Sequence, residues 1–150
     1  MARIKISNEW WTAPAEAENG RVILVTGRRD MENVMATGKY IYRVEVTWPY
    51  DGDDKGMPDY RTGRLMGEVH DARAALFDAD PSAAVMTGVY TGDGQRNWVF
   101  YACSLHIFQR KINEALASFD LLPLEFHAEE DPDWLEYREM RETEIPDGEE

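Results

Sequence analysis

The chain has 150 residues, enough for one core of ordinary size, and its 43% hydrophobic and 11% aromatic content exclude a disordered or fibrous protein. Its 29 acids and 16 bases give a net charge of −13, so the clustered lysines and arginines of a nucleic-acid surface are missing. The charge is uneven: residues 125–150 hold twelve Asp or Glu against Arg138 and Arg141, which is −10, leaving −3 for the rest.

In chain order, residues 1–20 carry Trp10-Trp11 and then Ala, Pro and Glu up to Gly20, an extended lead or short strand followed by a loop. Met1 to Lys5 is followed by polar Ser7, Asn8 and Glu9, so the apolar middle of a secretory signal is not there. Arg21 to Gly27 is a β-branched run ended by glycine and predicts a strand. From Lys39 to Trp48 the residues alternate, with Tyr40, Tyr42, Val44, Val46 and Trp48 on one face. That period of two predicts a half-buried strand, and the two strands are expected as antiparallel neighbours.

Asp- and Gly-rich residues 49–58 predict a loop. Leu65, Val69, Ala72 and Leu76 then form a helical stripe, weakened by Gly63 and Gly67 and ended by Asp80-Pro81. Ala83 to Thr91 predicts a strand and Asn97 to Cys103 its return, joined by Gly92-Asp93-Gly94, which supplies positive-φ turn positions. Leu105, Phe108, Ile112, Ala115/Leu116 and Phe119 mark a second helix. Leu121 to Ala128 predicts the last strand, and Asp131 can cap a short C-terminal helix with Pro132 at its first position. From Lys39 the order is β-α-β-β-α-β, a ferredoxin-like α+β arrangement with an extra N-terminal strand. Residues 1–142 are expected as a single domain and 143–150 as an acidic, disordered tail.

Motifs of catalysis are few. Asp51 to Gly56 is loosely like a calcium loop, but Lys55 and Thr62 occupy the positions where ligands belong. His70, His106 and His127 are far apart, and Cys103, the single cysteine, lies three residues from His106, too few ligands for zinc. One cysteine also excludes an internal disulfide. There is no GxSxG elbow, GxGxxG turn or Walker-type loop, so no cofactor is indicated. No stretch reaches the ~20 apolar residues of a membrane span, and the expected location is the cytoplasm. Trp98 and Phe100 share one strand face and Val99 and Tyr101 the other; one pair is core, and the other could stack on a base or a partner. Trp134 and Tyr137 share a helical face and either pin the last helix or form a recognition patch.

These residues bring a family into view. Trp10 or Trp11, the Tyr40–Trp48 strand, Gly56-Met57-Pro58, Thr91-Gly92-Asp93-Gly94-Gln95-Arg96 with Tyr101, and Asp131-Pro132-Asp133-Trp134 with Tyr137 follow in order along nearly the whole chain. In them the chain resembles the bacterial DUF695 family, of unknown function. The resemblance implies an α+β domain of unassigned activity. It also implies a fold-level likeness to the regulator of ribonuclease E activity B family, small acidic protein inhibitors. The expected function is a non-enzymatic protein-binding or regulatory module that docks a sheet face or its acidic end onto an unidentified, basic protein partner, with Arg96, Tyr101, Trp134 and Tyr137 as contacts. The alternative is a small-ligand binder or enzyme with a pocket between the sheet and the last helix, near Cys103 and His106.

Overall fold

The computed structural model describes residues 6–53, 56–119 and 122–142. The acidic 143–150 segment lies outside them, as do Asp54 and Lys55 of the Asp/Gly loop and Leu121 at the expected start of the last strand.

Among the described residues ten elements follow one another: β1 (Trp10–Glu16), β2 (Val22–Arg28), α1 (Glu32–Ala36), β3 (Tyr42–Pro49), α2 (Tyr60–Phe77), β4 (Ala84–Gly92), β5 (Gln95–Ala102), α3 (Leu105–Leu116), β6 (Glu125–Glu130) and α4 (Leu135–Arg141). The strands form one six-stranded sheet in the order β1-β2-β4-β5-β3-β6, and every neighbouring pair is antiparallel. The chain is therefore an α+β protein built on one antiparallel sheet.

The β4–β5 hairpin shows how local chemistry sets the frame. Asp93 and Gly94 both have positive φ between the paired Gly92 and Gln95, the two-residue turn that matches the natural strand twist. The side chain of Asn19 donates to the Asp93 carboxylate at 2.8 Å, and Gly94 donates its N–H to the Gly56 carbonyl at 2.9 Å, so two neighbouring loops hold the turn.

The expected pairing of β2 with β3 does not occur. β2 lies between β1 and β4, whereas β3 lies between β5 and β6. The reason is the apolar row on β3. Val44, Val46 and Trp48 are buried beneath α2 and α3 with Met86, Trp98 and Phe100, which requires β3 to sit centrally among the strands those helices connect. Tyr40 departs from its expected row: it precedes the strand, turns to the other face and donates its hydroxyl to the Pro81 carbonyl at 2.8 Å. Residues 10–16 form a second N-terminal strand, and a short helix, α1, follows β2.

The buried stripe of α2 keeps the expected Val69 but is otherwise shifted by one residue. Met66, Val69, Arg73 and Phe77 face inward, while Leu65 and Ala72 are half-buried. An arginine at a core position breaks the apolar pattern from which the stripe was read. In α3 the expected Phe108, Ile112 and Ala115 are buried; Leu105 is exposed. Ser104 caps α3 by accepting from the Ile107 N–H.

Both faces of the sheet are covered. Opposite α2 and α3, a second core joins Trp11, Val25, Val85 and Tyr101 to Met31 and Val34 around α1 and to Trp134, Tyr137 and Met140 around α4. Hence both residue sets of β5 are buried, Trp98 and Phe100 on one side and Val99 and Tyr101 on the other, and neither offers a stacking platform to a base.

Candidate functional site

Three of the four sequence-predicted contact residues meet beneath α4. The Trp134 indole stacks on the Tyr101 ring at 4.1 Å and 17°, and meets Tyr137 edge-on at 5.4 Å. All three are buried, and each polar end has an internal partner. Trp134 Nε1 donates to the Tyr40 carbonyl at 2.8 Å, the Tyr137 hydroxyl to the Arg28 carbonyl at 2.6 Å, and the Tyr101 hydroxyl to Asp131 Oδ2 at 2.6 Å. In this arrangement the three rings anchor α4 to the sheet.

Asp131 organises the entry to α4, though not as a simple N-cap. Its Oδ1 accepts from the Leu135 N–H at 2.9 Å and its Oδ2 from the Glu136 N–H at 3.1 Å. The helix starts at Leu135 rather than at Pro132, because Trp134 takes the left-handed conformation (φ 56°) that swings its indole under the helix. Burial alone would raise the Asp131 pKa; the hydrogen bonds from Tyr101, Leu135 and Glu136 outweigh it and hold the carboxyl below its ordinary value. Burial and the Asp131 bond together push the Tyr101 phenol far up, so it is a fixed donor.

The fourth residue, Arg96, is on the α2/α3 side. Its Nε donates to Thr91 Oγ1 at 2.9 Å and its guanidinium lies 5.9 Å from the Trp98 ring centre. The sheet thus separates it from the other three. Cys103 packs against the cluster beneath α4, and burial raises its thiol, the opposite of an activated nucleophile. His106 is exposed on α3, over the other face. A polar cleft of about 310 Å³ does open beside α4, but Arg43, Glu45, Tyr90, Asn97 and Glu136 line it, not Cys103 or His106. Among the described residues, no three His, Cys, Asp or Glu come together as metal ligands, and no helix is long and apolar enough to cross a membrane.

The sheet ends in an uncovered edge at β6. Among the described residues β6 pairs only with β3, so its other side leaves backbone N–H and C=O groups without a strand partner there, and all six of its residues are exposed. Phe126 is 54% exposed, a large side chain left uncovered on the α3 side of the strand. Between it and α3 runs a groove of about 310 Å³, floored by Val44, Phe108 and Ile112, with exposed Leu105 at its wall. A second hollow of about 520 Å³, lined by Leu116, Phe119, Leu122 and Leu124, continues along the same edge. Sequence reasoning assigned this strand to the fold and Leu105 to the core. The available signal was the alternation of Phe126 and Ala128 with Glu125, His127 and Glu129.

A family model described as a family of unknown function, DUF695, matches residues 9–140. No curated protein and no solved structure shows a significant match.

Proposed function

The chain belongs to the DUF695 family, of unknown function, and from that premise we propose that it is a protein-binding module that receives an extended, basic segment of a partner protein along β6. The observation that carries this reading is an unpaired, fully exposed edge strand beside an apolar groove. A strand laid against such an edge gains main-chain hydrogen bonds from the ladder, and its alternate side chains gain pockets. Here the alternate side chains enter the Phe126–Leu105 groove, while Glu125 and Glu130 meet lysines or arginines. A second copy of this acidic strand would bring like charges together, which favours a basic partner over self-association.

We read β3-α2-β4-β5-α3-β6 as a ferredoxin-like unit extended by β1 and β2. The sub-order β4-β5-β3-β6 and the two helices on one face support it. On this reading the likeness to the small acidic inhibitors of the regulator of ribonuclease E activity B family extends to role: a regulatory protein, not an enzyme, acting in the cytoplasm. Arg96, Tyr101, Trp134 and Tyr137 then shape the module rather than touch the partner directly.

Selection of random ten-residue peptides on the whole protein tests the proposal. The expected binders alternate apolar residues with Lys or Arg, shift the backbone amide signals of residues 125–130, and lose affinity about tenfold or more when Phe126 becomes Asp. Binders lacking basic residues, or binding Phe126→Asp equally well, would refute it.

A further inference from the structure

Two arginines are buried against a single carboxylate. Arg28, at the end of β2, is 1% exposed, and Arg73, on α2, is 3% exposed. Both reach the same oxygen of Asp78, Arg28 Nη2 at 3.4 Å and Arg73 Nη1 at 3.1 Å. In direct contact two positive charges thus face one negative charge, with Asp71 acting on Arg73 only at longer range, in a protein whose net charge is −13. Buried cations are ordinarily matched, because an unmatched one forfeits its hydration.

The hydrogen bonds show the same imbalance. Nε and Nη1 of Arg28 and Nε of Arg73 are buried without an acceptor. His70 does not make up the deficit. Its Nδ1 accepts from Trp98 Nε1 at 3.2 Å while its Nε2 lies 3.2 Å from Arg73 Nη2. A neutral imidazole has one acceptor nitrogen, so it serves one of those two donors and leaves the other. Donors therefore outnumber acceptors throughout the cluster, and one further anion would correct both charge and hydrogen bonding.

A cavity of about 260 Å³ adjoins the cluster, lined by Ile6, Ser7, Asn8, Arg28 and Asp78. The Arg28 guanidinium is held from one side by the Trp10 ring, 4.3 Å from its centre, which fixes its plane. Ser7 Oγ accepts from the Glu9 N–H, leaving its own proton to donate. Asn8 Oδ1 accepts from Trp10 Nε1, leaving its amide NH₂ to donate. Among the described residues these bonds tie Ser7 and Asn8 to residues two positions away, so the outer wall can adjust around a ligand without breaking a long-range hydrogen bond there.

We propose that this cavity binds a small tetrahedral oxyanion, the phosphate group of a small molecule or free inorganic phosphate. Arg28, which lines the cavity, carries N–H groups without an acceptor at Nε and Nη1, on opposite flanks of its guanidinium, and Ser7 and Asn8 add donors from two other residues. Donors arriving from three residues suit the oxygens of a tetrahedron better than the two coplanar oxygens of a carboxylate. Asp78 keeps Arg73 paired while the anion takes the free side of Arg28.

The test is thermal melting of the full chain with increasing inorganic phosphate at constant ionic strength, chloride replacing phosphate in the control and acetate in a third series. Glycerol phosphate in a fourth separates a phosphorylated small molecule from the free ion. The expected result is a saturable rise in melting temperature with phosphate, half-complete on the order of 1 mM, and none with acetate. Arg28→Met keeps the stem packed on Trp10 and removes the unpaired charge, so it should fold and lose the shift. Ser7→Ala with Asn8→Ala, at the exposed wall, should weaken the shift about tenfold without lowering the basal melting temperature. A shift equal for phosphate and acetate, a shift retained in Arg28→Met, or none up to about 20 mM phosphate would each overturn the proposal.

Discussion

Replacing Trp134 by alanine should cost the protein a large part of its stability. The indole is 2% exposed, stacks on Tyr101 at 4.1 Å, meets Tyr137 edge-on and donates to the Tyr40 carbonyl. Removing a buried tryptophan side chain costs roughly 3–5 kcal/mol, and the carbonyl left without its donor keeps the loss toward the upper part of that range. For a chain of this length each kcal/mol lowers the melting temperature by about 2–4 °C, so a fall of about 10–15 °C is expected. Alanine also inherits the left-handed backbone at φ 56°, so Trp134→Gly should be about 1 kcal/mol less damaging than Trp134→Ala. Circular dichroism melts with urea unfolding at fixed pH measure both variants. A loss below about 1 kcal/mol, accompanied by loss of peptide binding at unchanged fold, would make Trp134 a partner contact and refute the anchoring argument.

Tyr101→Phe should cost about 1–3 kcal/mol in urea unfolding, because it removes a 2.6 Å donor from the buried Asp131 carboxylate. Burial, with the positive charges of Arg73 and Arg96, pushes His70 down to about 4 from an ordinary value near 6.5. Its contribution to stability is therefore complete above about pH 6.5 and is lost as the pH falls toward 4, since the unfolded chain takes up the proton first; urea melts across that window should lose part of their slope in His70→Gln, and an unchanged slope would count against the assignment. The Trp11 ring lies over Gly27, where a Cβ would collide with it. Gly27→Ala should cost about 1–3 kcal/mol, and the cost should shrink when Trp11 is also shortened to leucine, as a double-mutant cycle would show.

The sequence was most legible where one residue type has one structural use. Asp93-Gly94 fixed the hairpin because few residues accept its two positive φ angles, and Phe108, Ile112 and Ala115 marked α3 because its far side is polar. Legibility failed where a residue's surroundings come from distant parts of the chain. Arg73 is at a core position because Asp78 meets it there, and no pattern of period 3.6 shows that. Trp134, Tyr137 and Tyr101 are visible as aromatics, yet only the sheet's arrangement decides that they face inward together. Phe126 alternates as a core residue would, but its side of the strand is left uncovered at the end of the sheet.

That sealing of both faces narrows where recognition can occur. With α2 and α3 on one side and α1 and α4 on the other, and only a polar cleft of Arg43, Glu45, Tyr90, Asn97 and Glu136 opening beside α4 among the described residues, an apolar or strand-forming partner would reach the sheet at its edges. The β1 edge carries Pro14, which has no N–H to give to a further strand. The β6 edge has no proline, and what protects it is charge: Glu125, Glu129 and Glu130 on one six-residue strand. Glu129 is engaged in part by Arg43, at 3.8 Å, which leaves Glu125 and Glu130 as the guards. If charge keeps this edge from pairing with copies of itself, Glu125→Thr with Glu130→Thr should let the protein associate with rising concentration, while the parent chain does not. Sedimentation at about 0.05 M and 0.5 M salt tests this, since screening by salt should move the parent toward the variant's behaviour. A variant that stays as monomeric as its parent at every salt concentration would mean that something other than charge closes the edge, and the case for a basic strand as its natural partner would fall with it.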